Sequence, residues 1–143
     1  DTDLIKAVAS GECGVAVTNT YYLARLLKSG KPEDRSVMEK VRIVFPNQGT
    51  SGTHVNIAGA AVAKHAKHLD AAVQFMEYLA SPFAQDYFAN GNNEFPAAKG
   101  VKVDNPALKA MGGAHFKAEN IPLGVVAKNM TKVQQMLDRA GYK

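Results

Sequence analysis

The run Gly14-Val15-Ala16-Val17-Thr18 constrains this chain most, because a short apolar, strand-like stretch passes directly into a helix-forming one. Asn19 and Thr20 form the turn between them, and the helix that follows carries Leu23, Leu26 and Leu27 before Ser29-Gly30 stops it. A strand whose carboxyl end feeds a helix amino end is the unit from which α/β proteins build ligand sites. Two tyrosines, Tyr21 and Tyr22, stand at that junction. Thr20 is expected to cap the helix through its hydroxyl.

Strand-like and helix-like segments alternate along the rest of the chain. Asp1 and Thr2 open a short helix with Leu4, Ile5 and Val8 on one face and Gly11 as its stop. Pro32 opens another, and Val41 to Phe45 reads as a strand closed by Pro46. Val55 to Ala63 reads as a strand and then a turn through Gly59. The clearest helical spacing belongs to Leu69, Ala72, Val73, Met76, Leu79 and Ala80. Ser81-Pro82 restarts a helix that Gly91 stops, and Asn105-Pro106 starts a further one. Ile121 to Gly124 reads as a turn, with Asn129 capping a last helix whose Val133, Met136 and Leu137 face inward. The alternation gives an α/β class.

With 143 residues the chain is long enough for a core of ordinary size. Seventeen Lys and Arg against thirteen Asp and Glu leave a small positive excess, scattered and not clustered. A nucleic-acid partner would need a basic stripe, so none is expected. No apolar run reaches the roughly 18 residues of a membrane span, so direct membrane insertion is not expected either. The single Cys13 forms no internal disulfide and no zinc site. The chain starts at Asp1 without a methionine or an export signal, which leads us to expect a processed or truncated polypeptide.

Adjacent phenols at a helix amino end can serve as hard oxygen donors. A free phenol has a pKa near 10, so it binds weakly charged ions poorly at neutral pH. A trivalent cation changes this, because the bound ion is the largest local charge and drives deprotonation. Asn19, two residues upstream of Tyr21, places an amide where it can hold an anion sharing the metal's shell. The competing reading packs one tyrosine in the core and leaves the other at the surface. The loop Gly49-Thr50-Ser51-Gly52 lacks the lysine and spacing of a phosphate loop and reads as a connection. His65 and His68, interleaved with Lys64 and Lys67, read as a solvated face. No Ser-His-Asp or Cys-His arrangement stands out, so an enzyme is not expected.

The segment Asn19-Thr20-Tyr21-Tyr22 resembles the periplasmic ferric-ion-binding proteins that feed bacterial iron ABC transporters. The likeness extends in family order from Gly11-Glu12-Cys13-Gly14-Val15-Ala16-Val17 to Phe45-Pro46-Asn47-Gln48-Gly49 and Gly52-Thr53-His54-Val55-Asn56-Ile57-Ala58-Gly59. Asn93-Glu94-Phe95-Pro96, Ile121-Pro122-Leu123-Gly124 and Asp138-Arg139-Ala140-Gly141 complete it.

The resemblance implies an α/β, type II periplasmic-binding-protein-like fold, two lobes joined by hinge strands, of which this chain is the carboxy-terminal part only. Residues 1–40 would belong to the second lobe, 41–47 would cross the hinge, and 48–92 would belong to the first lobe. Residues 93–98 would cross back, and 99–143 would be helices of the second lobe. It further implies a solute-binding protein that captures Fe(III) through Tyr21 and Tyr22. A synergistic anion such as carbonate or phosphate would sit at Asn19. Delivery would be to an inner-membrane ABC permease, from a periplasmic or otherwise extracytoplasmic, membrane-tethered location. The remaining ligands would come from a missing amino-terminal half of the same protein. The alternative is a binding protein of the same fold for a small oxyanion or an organic solute.

Overall fold

The computed structural model describes residues 1–113 and 115–142. These residues fall into two compact units, Asp1–Val44 with Asn56–Phe116, and Phe45–Val55 with Lys117–Lys143.

The first unit is built on helices α1 (Thr2–Ser10), α2 (Thr20–Lys28), α3 (Pro32–Lys40), α4 (Leu69–Leu79), α5 (Pro82–Tyr87) and α6 (Pro106–Ala110). Its core joins Ile5 of α1, Leu23, Ala24 and Leu26 of α2, and Ala107, Leu108 and Met111 at α6. The apolar residues of α2 recur at helical spacing and so bury one face, which leaves its first turn half exposed. α1 ends as its sequence signals, with Gly11 in the left-handed region at φ 83°. Ser81 caps α5, accepting from the Ala84 amide at 3.3 Å, with Pro82 in the first turn.

The helix does not stop at Gly91. It passes into a π turn over Phe88–Asn92 and closes on Asn93 at φ 61°. Asn105 explains how that irregular turn is held. Its side chain is 1 % exposed. Its Nδ2 donates to the Ala89 carbonyl at 2.7 Å and to Asn93 Oδ1 at 2.8 Å. Its Oδ1 meanwhile accepts from the Ala107 and Leu108 amides and caps α6.

The second unit contains α7 (Leu123–Arg139) and the loop from Phe45 to Val55. The side chain of Gln48 ties that loop down: Nε2 donates to the Lys117 carbonyl at 3.0 Å and Oε1 accepts from the Lys117 amide at 2.7 Å. Thr53 and Ala118 form an isolated parallel bridge beside it. No helix is long and apolar enough to cross a membrane among the described residues.

Other sequence expectations also need correction. Gly14–Thr18, Val41–Phe45 and the strand over Val55–Ala63 form no ladder among the described residues, and Val15 and Val17 are 85 % and 89 % exposed. A strand exists only by pairing, and these stretches find no neighbour to pair with among the described residues. Thr20 is the first helical residue and the cap position falls to Asn19, whose backbone is extended at φ −75°, ψ 144°. α7 begins at Leu123 behind Pro122, so Asn129 lies inside it and donates to the Val125 carbonyl one turn back at 2.9 Å. Val133 and Met136 of α7 are exposed, not inward, and no residue of α4 is buried.

Candidate functional site: the tyrosine pair at the start of α2

Burial of Leu23, Ala24 and Leu26 anchors α2 and holds its amino end in place. Tyr21 and Tyr22 occupy that end, both half-buried, with ring centroids 4.4 Å apart and planes inclined by 35°. Tyr22 also packs against the core cluster. The packed-in-the-core reading therefore holds for neither ring completely, and the structure brings both phenols to one place.

The guanidinium of Arg25 lies over both rings, its carbon 5.3 Å from the Tyr21 centroid and 5.4 Å from that of Tyr22. Arg25 stands three and four residues after the tyrosines, the spacing at which helical side chains are neighbours. Sequence reasoning missed it, although that spacing was available as a signal. The Tyr22 phenol titrates above its ordinary value: the hydrogen bond with Tyr21 raises it, Tyr21's charge and partial desolvation add to that, and Arg25 pulls the other way. The Tyr22 phenol thus holds its proton until something displaces it, while the Arg25 cation beside the rings favours the phenolate form.

Asn19 completes the group. Its Nδ2 lies 3.5 Å from Tyr21 Oη and 3.5 Å from Asp1 Oδ2, both at the long end of hydrogen bonding. Asp1 is 18 positions away along the chain, so nothing local in the sequence announces it.

The remaining candidates lie apart. His54 Nδ1 is 3.0 Å from Glu119 Oε2 within the second unit. His65 and His68 are exposed, as a solvated face requires. The Gly49–Gly52 segment is a turn whose Gly52 lies against the Lys117 and Ala118 backbone. Among the described residues no three His, Cys, Asp or Glu side chains are grouped to hold a metal.

Comparison with known proteins places this geometry in context. The sequence profile of the family described as Bacterial extracellular solute-binding protein matches residues 1–114. The chain is 43 % identical to Iron uptake protein A2 of Synechocystis sp., over all of this chain and 41 % of that protein. Among solved structures it resembles Trichodesmium IdiA (FutA) in complex with iron and citrate ligands, at TM-score 0.90 and 45 % identity, covering 44 % of that chain. It also resembles the ferric binding protein from Campylobacter jejuni, at TM-score 0.88 and 37 % identity, again covering 44 %. This chain thus spans less than half the length of these relatives, and corresponds to their carboxy-terminal part. The fold is accordingly the type II solute-binding fold, of which the chain is a portion. The chain belongs to the bacterial extracellular solute-binding proteins, a family of binders and not of enzymes.

Proposed function

We propose that this chain is the carboxy-terminal part of a protein that captures Fe(III) and hands it to an ABC permease in the inner membrane. The observation that carries the reading is the pair of half-buried phenols, 4.4 Å apart under one guanidinium. Iron displaces both phenol protons, and the resulting phenolates of Tyr21 and Tyr22 hold it as hard oxygen donors. A synergistic anion, carbonate, phosphate or similar, fills part of the shell at Asn19. Relatives whose names carry iron uptake and ferric binding support the choice of cargo.

Two phenolates do not complete the shell of a ferric ion. The other ligands come from the amino-terminal half, which makes that half the chain's first partner. In this reading residues 1–40 and 99–143 lie in the second lobe and 48–92 in the first. Residues 41–47 and 93–98 cross the hinge on which the lobes close. The protein works in the periplasm or tethered outside the cytoplasmic membrane, as membership of an extracellular solute-binding family suggests.

Titration of the full polypeptide with ferric nitrilotriacetate tests this reading, because Fe(III)–phenolate absorbs visible light. A band that saturates at one iron per protein supports it. A folded protein that shows no band moves the reading to a small oxyanion or organic solute, with the tyrosines stacking on or hydrogen-bonding to it.

A further inference from the structure

Residues 93–98 are fixed at both ends and in the middle. At the start, Asn93 is 5 % exposed, and its Oδ1 accepts from Asn105 Nδ2 at 2.8 Å. At the far end the buried Gln85 of α5 accepts at Oε1 from the Ala97 amide at 2.8 Å and from the Ala98 amide at 3.2 Å. Between them Phe95 packs against the core cluster and meets Phe116 edge-on, with ring centroids 5.5 Å apart. Both amide side chains also hold the flanking structure. Gln85 Nε2 donates to the Leu79 carbonyl at the end of α4, at 2.8 Å. Asn105 caps α6 while it holds the Ala89 carbonyl of the π turn.

A hinge needs residues whose backbone dihedrals can change at little cost. Such residues have solvated backbone bonds and few packed neighbours. Here the bonds end on buried side chains, so breaking one leaves a polar group without a partner and with little water to replace it. Ala89 ties the same body to the tyrosine helix, because it shares one core cluster with Leu23, Ala24 and Leu26 of α2.

We propose that residues 93–98 are a rigid strut and not a bending point: Gln85 and Asn105 lock α5, the π turn, the strut and α6 into one body that carries the tyrosine helix. This deepens the reading of a hinged iron binder and rests on it for the crossing role of the segment. When the lobes close, α5 keeps its place relative to α6, and the chain bends elsewhere.

The test uses the full polypeptide, iron-free and after loading with ferric nitrilotriacetate followed by its visible band. Amide hydrogen exchange is read at Ala97 and Ala98. In a background whose native cysteines are replaced by serine, a distance is measured between spin labels at Phe83→Cys in α5 and Lys109→Cys in α6, both exposed positions. The two amides should be protected equally with and without iron, and the label distance should be the same in both states. Gln85→Met keeps the bulk but removes the acceptor, so exchange at Ala97 and Ala98 should speed up by about tenfold or more.

A label distance that shifts on loading by more than about 2 Å, the scale of a loop or domain rearrangement, would overturn the proposal. So would amides that exchange freely in the iron-free protein and gain protection only with iron. Unchanged exchange in a folded Gln85→Met variant would overturn it too, since the lock would then lie elsewhere. A parent without any visible band would instead bring down the tyrosine-ligand reading, while exchange in the iron-free protein would still decide this one.

Discussion

Arg25 lies over Tyr21 with its guanidinium carbon 5.3 Å from the ring centroid, and at nearly the same distance from Tyr22. One cation thus serves two phenols, and its worth grows as they become phenolates. Replacing it, as in Arg25→Leu, keeps an aliphatic stem over the rings but removes the charge. Iron affinity should fall by about 2- to 5-fold, corresponding to roughly 0.5–1 kcal/mol for an exposed cation–ring contact. Competition against citrate measures this, and Arg25→Lys should recover part of the loss.

The raised Tyr22 phenol sets the direction of the pH dependence. Its hydrogen bond with Tyr21 is the largest cause, so the Tyr22 phenol holds its proton the more firmly before iron binds. Iron binding then releases protons, and affinity rises with pH. With two protons displaced, affinity should change by about a hundredfold per pH unit below the phenol pKa. Iron retention measured from pH 5 to pH 8 against a competitor of known proton stoichiometry checks this. A flat profile would mean that the phenols do not ionise on binding.

The buried amide of Asn105 secures the π turn, α6 and Asn93 together. Asn105→Ala strips the partners from groups that have no water to turn to. It should cost about 2–4 kcal/mol, as expected when several buried groups are left unsatisfied at once. Chemical denaturation of the full polypeptide reads the loss, and Asn105→Asp, which keeps the cap but not the donors, should recover only part of it.

Gly52 has φ 95°, and a Cβ there would lie 2.7 Å from the Lys117 carbonyl oxygen and 2.8 Å from Ala118 backbone atoms. Both the conformation and the close approach require glycine. Gly52→Ala should therefore loosen the pairing of Thr53 with Ala118 and destabilise the second unit by about 1–3 kcal/mol. Hydrogen exchange at the Thr53 and Glu119 amides, which bond to Lys117 and Thr53 carbonyls at 2.8 Å, is the direct probe.

What the sequence made legible follows a physical line. Ser81-Pro82, Asn105-Pro106 and Gly11 act within a few residues of themselves, and each helix boundary they signal is present. Val15, Val17 and Val44 have strand chemistry, but a strand is a relation between segments, and no pairing neighbour is found among the described residues. The tyrosine pair was visible because its two residues are adjacent and open a helix. Arg25 obeyed a helical spacing that was there to be read. Asp1 was not legible, because its contact with Asn19 spans two helices and no local pattern encodes it. Asn129 misled because an asparagine inside a helix can bond back to a carbonyl one turn earlier instead of capping.

The central claim is that Tyr21 and Tyr22 together bind Fe(III) as phenolates. The most direct measurement is the visible spectrum of the iron-loaded full polypeptide beside its Tyr21→Phe, Tyr22→Phe double variant, with both folds verified by circular dichroism. Phenylalanine keeps each ring's packing and removes only the oxygen. The account predicts that the parent's band is lost in the double variant together with tight iron binding. A double variant that binds iron as tightly as the parent, with the same band, would contradict it.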